Sequence, residues 1–246
     1  MPSKLLQEDL HNVMLRLPKD VTELMKQHGL MLGGGFIREV VAGLPPNDID
    51  LLGPSEDRLK LAATEFYHSR KKEARVLETK NAITHVAPPR TTVQFITRWT
   101  FEEPLPLVES FDFTVCQAVV YWVPGEGNAP GRWESLIGDR FYSDLASRRL
   151  TYTTPNRHED AGGSMLRMRK FLGRGYHISA DDLAAVMARV VSRIDLDKLG
   201  RGGEEEFTFL IRGLLREVDP LLVIDGVEPV EVSHDDIPMG EGQDDD

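Results

Sequence analysis

Asp48 and Asp50 stand one residue apart in an apolar run, Asp48-Ile49-Asp50-Leu51-Leu52. In a strand, residues i and i+2 share a face, so the two carboxylates lie side by side and Ile49 turns to the core. Neighbouring carboxylates repel and are costly to desolvate unless a cation lies between them. Hard divalent cations with oxygen ligands, Mg²⁺ above all, meet that need. Just upstream, Leu30-Met31-Leu32 ends in Gly33-Gly34-Gly35. A glycine corner lets a phosphate approach the backbone without a Cβ in the way. The combination implies metal-assisted phosphoryl transfer. A P-loop is excluded because no Gly-Lys-Ser/Thr follows, and a dinucleotide fingerprint because Gly-x-Gly-x-x-Gly does not fit. Taken alone, an Asp-x-Asp is most often a solvated loop pair, and the glycines alone are no more specific.

The spacing of the whole stretch is more telling. Gly34-Gly35-Phe36-Ile37-Arg38-Glu39, then Gly43-Leu44-Pro45-Pro46-Asn47-Asp48-Ile49-Asp50, resembles the head of the tRNA nucleotidyltransferase and bacterial poly(A) polymerase family. That family belongs to the DNA polymerase β-like nucleotidyltransferase superfamily. Every spacing of its first motif is kept, and Glu39 replaces the usual Asp. The resemblance implies an α+β fold: a nucleotidyltransferase head with a mixed, mostly antiparallel sheet flanked by helices, followed by a small helical neck. It also implies two Mg²⁺ ions on Asp48 and Asp50, with an NTP whose phosphates meet Gly34, Gly35 and Arg38.

Two later stretches resemble the family in part. Asp112-Phe113-Thr114-Val115-x-x-Ala118 matches a motif whose aspartate contacts the nucleotide, but Ser110 and Phe111 stand where arginines belong. Gln94, in Val93-Gln94-Phe95-Ile96, stands where the family has a third carboxylate. It can offer a carbonyl oxygen but no charge. Asp112 is therefore the expected third metal ligand and catalytic carboxylate, besides touching nucleotide. In the neck, Arg157, Arg167 and Lys170 are the expected nucleotide-binding cations. Ser164 replaces the family's first neck arginine. Read singly, each neck arginine is an ordinary solvated residue of an amphipathic helix. As a set, Arg167, Arg169, Lys170 and Arg174 form a plausible phosphate-facing surface.

The rest of the chain must position these groups. Residues 3–16 and 19–28 read as helices around Pro18. Ser55 before Glu56 and Asp57 reads as the N-cap of a helix to about Arg70. Residues 75–78, 82–86 and 92–97 read as antiparallel strands. Residues 102–110, broken by Pro104 and Pro106, read as a short helix or loop. Residues 111–121 read as a strand, with Cys116 inside it as a small buried hydrophobe. Residues 122–133 form a Pro/Gly-rich turn between strands. Further helices are expected at 180–194 and 203–217. The expected organisation is a head at 1–138, a helical neck and body at 139–220, and an acidic, largely disordered tail at 221–246.

Composition bounds the function. At 246 residues with 41% hydrophobic content, the chain can bury a sizeable core. It has no apolar run of the ~20 residues a membrane span needs and no signal-peptide pattern. One cysteine excludes an internal disulfide and suits a reducing cytoplasm. The net charge of −11 argues against nucleic acid, but nine of the acids lie in residues 225–246. Residues 132–174 carry nine Lys/Arg against five Asp/Glu, a local +4. That stretch is the expected contact for tRNA or other RNA. The expected activity is Mg²⁺-dependent transfer of a nucleoside monophosphate to an acceptor hydroxyl, most simply an RNA 3′ end. Seventy residues follow Tyr176, which leaves little room for a full tRNA ruler. The alternatives are a toxin-like enzyme modifying a protein or small molecule, and an inactive nucleotide-binding interaction module.

Overall fold

The computed structural model describes residues 3–70, 75–127, 129–155 and 161–192, with scattered helical positions between 203 and 212. Arg157, the acidic tail and most of the last expected helix lie outside the described residues.

A seven-stranded sheet organises the chain, in the order β3-β4-β5-β2-β1-β6-β7. Its strands are β1 (Met31–Gly33), β2 (Asp48–Leu52), β3 (Arg75–Glu78), β4 (Ala82–Val86), β5 (Thr92–Ile96), β6 (Ala118–Val123) and β7 (Arg132–Ile137). Every pairing is antiparallel except β2 with β5. This is the mixed, mostly antiparallel sheet that the sequence implies.

One face of the sheet is sealed by α1 (Gln7–Arg16), α2 (Lys19–His28), α3 (Gly35–Val41) and α4 (Glu56–Ser69). Their apolar stripes meet Leu32, Ile49, Leu51, Val93 and Phe95 in the main core. Ser55 caps α4 as expected, its hydroxyl accepting from the Arg58 N–H at 3.2 Å. Residues 3–6 are not part of α1; Ser3 instead pairs with Ile137 beside β7.

Among the described residues, the other face is covered in part. There α5 (Pro104–Ser110) packs Leu107 and Val108 on Met31, Leu52 and Val119. Pro104 and Pro106 do not break this helix, because they sit in its first turn, where a proline's missing N–H is harmless. Residues 111–117 form no strand. Thr114–Cys116 is a 3₁₀ turn, and β6 starts only at Ala118.

Beyond β7 come α6 (Phe141–Ala146), β8 (Arg149–Leu150), α7 (Ala161–Gly173), β9 (His177–Ile178) and α8 (Ala180–Val191). Phe141 and Leu145 of α6 belong to the main core. A second core gathers Phe113, Val115 and Cys116 with Leu150, Met168, Phe171 and Val186. Asp144 ties the two cores together. It is 2% exposed and accepts from Thr114 Oγ1 at 2.6 Å and from Arg140 Nη2 at 2.9 Å. Burial pushes its pKa up, but the hydrogen bonds from Arg140 and Thr114 outweigh that and hold it below the usual carboxylate value.

Asp144→Ala leaves the Thr114 hydroxyl buried without its acceptor, a loss of about 1–3 kcal/mol in urea unfolding at pH 7. Because the folded pKa is depressed, Asp144's contribution is present above the unfolded carboxylate pKa. It fades as pH falls through the lower folded value, so the gap between parent and variant should narrow in acid.

Candidate active site

The alternation of β2 builds the floor of a cavity. Ile49 and Leu51 are fully buried in the main core, so Asp48, Asp50 and Leu52 must face the other side of the sheet. β5 runs parallel beside it with Asp50 in register with Gln94, while Val93 and Phe95 are buried. β1 is paired on the opposite side and ends at Gly33, two residues before α3 begins. A cavity of about 330 Å³ opens over these strand ends. That volume lies in the range of small-molecule sites.

The glycine corner faces the carboxylates. Gly34 adopts φ +55°, and a Cβ there would press on Phe111 at 3.3 Å, so both conformation and space call for glycine. A Cβ on Gly35 would sit 3.6 Å from Arg38 Nη2 and 3.8 Å from Asp48 Oδ1. The Gly34 N–H donates to Ala118 O at 2.9 Å. Gly34 therefore shapes the corner and does not offer its N–H to a phosphate.

Arg38 is 7% exposed. It donates to Glu39 Oε1 through Nη2 at 2.7 Å and to Cys116 Sγ at 3.4 Å, and lies over the Phe171 ring at 4.8 Å. Arg174, just past the end of α7, reaches the same Glu39 oxygen at 3.2 Å. Glu39 thus bridges two guanidinium groups, a role its longer side chain can fill where the resembled family has Asp. Burial pushes the Cys116 thiol up to about 11, which suits the expected inert hydrophobe, although the residue sits in a turn and not in a strand.

Asp112, the expected third metal ligand, lines the same cavity but is paired with a cation of the chain itself. It is 2% exposed, and its Oδ2 accepts from Arg167 Nε at 2.7 Å. Among the described residues, no three His, Cys, Asp or Glu side chains are grouped to hold one metal ion. The Arg167 pair satisfies the Asp112 charge, so a cation is not needed to keep it buried. Two carboxylates with the Gln94 carbonyl nonetheless fit Mg²⁺, which commonly takes one or two protein carboxylates and fills its shell with water and phosphate oxygens. Asp50 supports this. Burial, then repulsion from Asp48, push its pKa up to about 8, with Arg38 pulling the other way. The pair lacks a full counter-charge.

Of the sequence-expected residues, Gly34, Gly35, Arg38, Asp48, Asp50, Asp112, Arg167 and Lys170 all line the one cavity. Arg157 lies outside the described residues. The sequence reading missed the apolar wall made by Ile96, Trp99, Phe101 and Leu107. Its signal was available: Trp99 and Phe101 follow directly on the strand that carries Gln94.

Residues 4–148 match the family described as Gad2, Gabija anti-defense 2 family protein. The chain belongs to the Gabija anti-defense 2 family. No curated protein matches this family member by sequence. Its fold is nevertheless that of solved nucleotidyltransferases. The Thermotoga maritima CCA-adding enzyme complexed with tRNA-CCA aligns at a TM-score of 0.50 and 16% identity, over 89% of this chain and 51% of that one. A tRNA-processing enzyme in its apo form aligns at 0.51 and 18%, over 92% and 55%. A tRNA nucleotidyltransferase complexed with a primer tRNA and an incoming ATP analog aligns at 0.50 and 17%, over 83% and 56%. The chain spans about half the length of these enzymes. The resemblance read from the first motif is thus one of fold, while the family is a different one. Among the described residues no helix is long and apolar enough to cross a membrane.

The raised pKa of Asp50 gives a pH dependence. Its folded value lies above the unfolded one, so its proton favours the folded state, and stability falls as pH rises from about 4 to about 8. In chelator, Asp50→Asn should flatten that part of the melting-temperature profile and melt above the parent at pH 9. Mg²⁺ should raise the parent's melting temperature more at pH 9 than at pH 6, because it competes with the proton.

Proposed function

We propose that this protein is a Mg²⁺-dependent nucleotidyltransferase that moves a nucleoside monophosphate from an NTP to an acceptor hydroxyl. The observation that carries the reading is the Asp48–Asp50 pair. Both carboxylates share one face of β2, meet the Gly33–Gly35 corner, and line a cavity with Arg38, Arg167 and Lys170. Mg²⁺ at the pair would neutralise phosphate charge and lower the pKa of the attacking hydroxyl. Asp48 and Asp50 would hold it with Gln94, and Asp112 would act by fixing Arg167 towards the cavity. Arg38, Arg167 and Lys170 line the cavity and would offset charge growing on the pyrophosphate as it leaves. Gly34 and Gly35 leave room for that group beside the backbone.

The acceptor is the open choice. An RNA 3′ end is supported by the basic residues of α7 and by the tRNA-bound structures that share the fold. The family description favours a component of Gabija defence, since the protein's family acts against it. An inactive nucleotide-binding module is supported by neutral Gln94 and by Ser110 and Phe111 in place of arginines.

The test is to incubate the protein with each labelled NTP, Mg²⁺ and either tRNA or an extract of cells carrying Gabija defence, then ask which macromolecule takes label. The parent should label one of them, and chelator should abolish the signal. The double variant Asp48→Asn with Asp50→Asn should give none while melting no lower than the parent. Nucleotide binding without any label would favour the inactive module.

A further inference from the structure

Among the described residues, four acids line the cavity: Glu39, Asp48, Asp50 and Asp112. The chain answers two of them itself. Glu39 accepts from Arg38 at 2.7 Å and from Arg174 at 3.2 Å. Asp112 accepts from Arg167 at 2.7 Å and is 2% exposed. Asp48 and Asp50 make no ion pair with a described residue. The carboxylates left for a cation are therefore this pair. On β5, Gln94 stands in register with Asp50 and faces the cavity between the buried Val93 and Phe95.

This donor set fits one divalent ion. Two carboxylates balance its charge, and the Gln94 carbonyl adds a dipole without charge. A second ion would lie roughly 3.5–4 Å from the first, and two doubly charged ions that close repel strongly. A shared anionic ligand must offset that repulsion, and no third His, Cys, Asp or Glu is grouped with the pair among the described residues. Turning Asp112 to a metal would strip Arg167 of its anchor. The charge a second ion would bring is already in the chain. Arg38, Arg167, Lys170 and Arg174 line the same cavity, and Glu39 and Asp112 anchor the three arginines. Anchored guanidinium groups meet phosphate oxygens without needing a metal between them.

We infer that the site takes one divalent cation per nucleotide, on Asp48 and Asp50, and that neutral Gln94 is what excludes a second. The resemblance in the first motif implies two. The inference rests on the nucleotidyl-transfer reading given above. Gln94 sets the number of ions, and the anchored arginines take over the phosphate charge that a second ion would have met.

The test is equilibrium dialysis of the full chain with Mn²⁺ and each α,β-methylene nucleoside triphosphate in turn, counting the excess of ion and analogue on the protein side. The parent should hold one Mn²⁺ per bound analogue. Gln94→Glu, which places a third carboxylate beside Asp50, should hold two, with its fold checked by melting in Mn²⁺. Gln94→Met should keep the count at one but bind that ion about tenfold more weakly, and it decides the matter should Gln94→Glu not fold. Two ions on the parent, bound analogue with no ion, a folded Gln94→Glu that stays at one, or unchanged Mn²⁺ affinity in Gln94→Met would each overturn the inference. A parent that takes up none of the analogues would instead overturn nucleotidyl transfer itself.

Discussion

The strand alternation of β2 is the constraint on which the rest of the structure depends. Two acids on one face are stable as neighbours only if the strand that carries them cannot rotate. Ile49 and Leu51 supply that rigidity, with both side chains fully buried among Phe36, Phe66 and Phe95. A register slip of one residue would drive both aspartates into this core and both hydrophobes into the cavity. Pairing with β1 on one side and β5 on the other leaves β2 no free edge. The folded state therefore holds the two acids side by side because Ile49 and Leu51 are worth more buried than the acids lose.

The cavity is completed by ion pairs that tie α7 and the turn after it to α3 and to the segment ahead of β6. Arg167 of α7 meets Asp112 ahead of β6, and Arg174 shares Glu39 with Arg38 of α3. Beneath them Phe171 packs on Phe113 with ring centroids 5.9 Å apart and lies under the Arg38 guanidinium. The exposed parts of such pairs add little stability. Their effect is on placement, because each fixes a cation that would otherwise sample solvent. The α7 wall thus exists only when the second core is packed against the 3₁₀ turn, which makes Asp144, some way from the cavity, part of its support.

The local features were legible in the sequence. The Ser55 cap, the β3–β5 strands and the Asp48–Asp50 pair are each determined by neighbours within a few residues. The misreadings share one cause, which is a partner far along the chain. Asp112 reads as an acid without a partner until Arg167, 55 residues away, is seen to hold it. Gly34 reads as a phosphate donor until Ala118 takes its N–H. Phe111 to Gln117 reads as a strand by composition. Thr114 is drawn instead into a turn by Asp144, and Phe113 pairs with Tyr152. Periodicity carries no information about such distant partners.

What the fold retains and what it changes separate cleanly. The floor has the two aspartates, the glycine corner and Arg38, groups whose chemistry suits metal-assisted attack on a triphosphate. The walls have changed charge. Ser110 and Phe111 remove arginines, Gln94 removes a carboxylate, and Trp99 and Phe101 line the far end with rings. Losing one negative group from the floor weakens the hold on a second cation, since no third acid stands in for it. Losing positive groups from the walls weakens the hold on a polyanion more than on an uncharged group. Both changes move in the same direction, towards less charge and more apolar surface beside the aspartate pair. Fold similarity alone could not have told these apart, because it reports the floor and is blind to the walls.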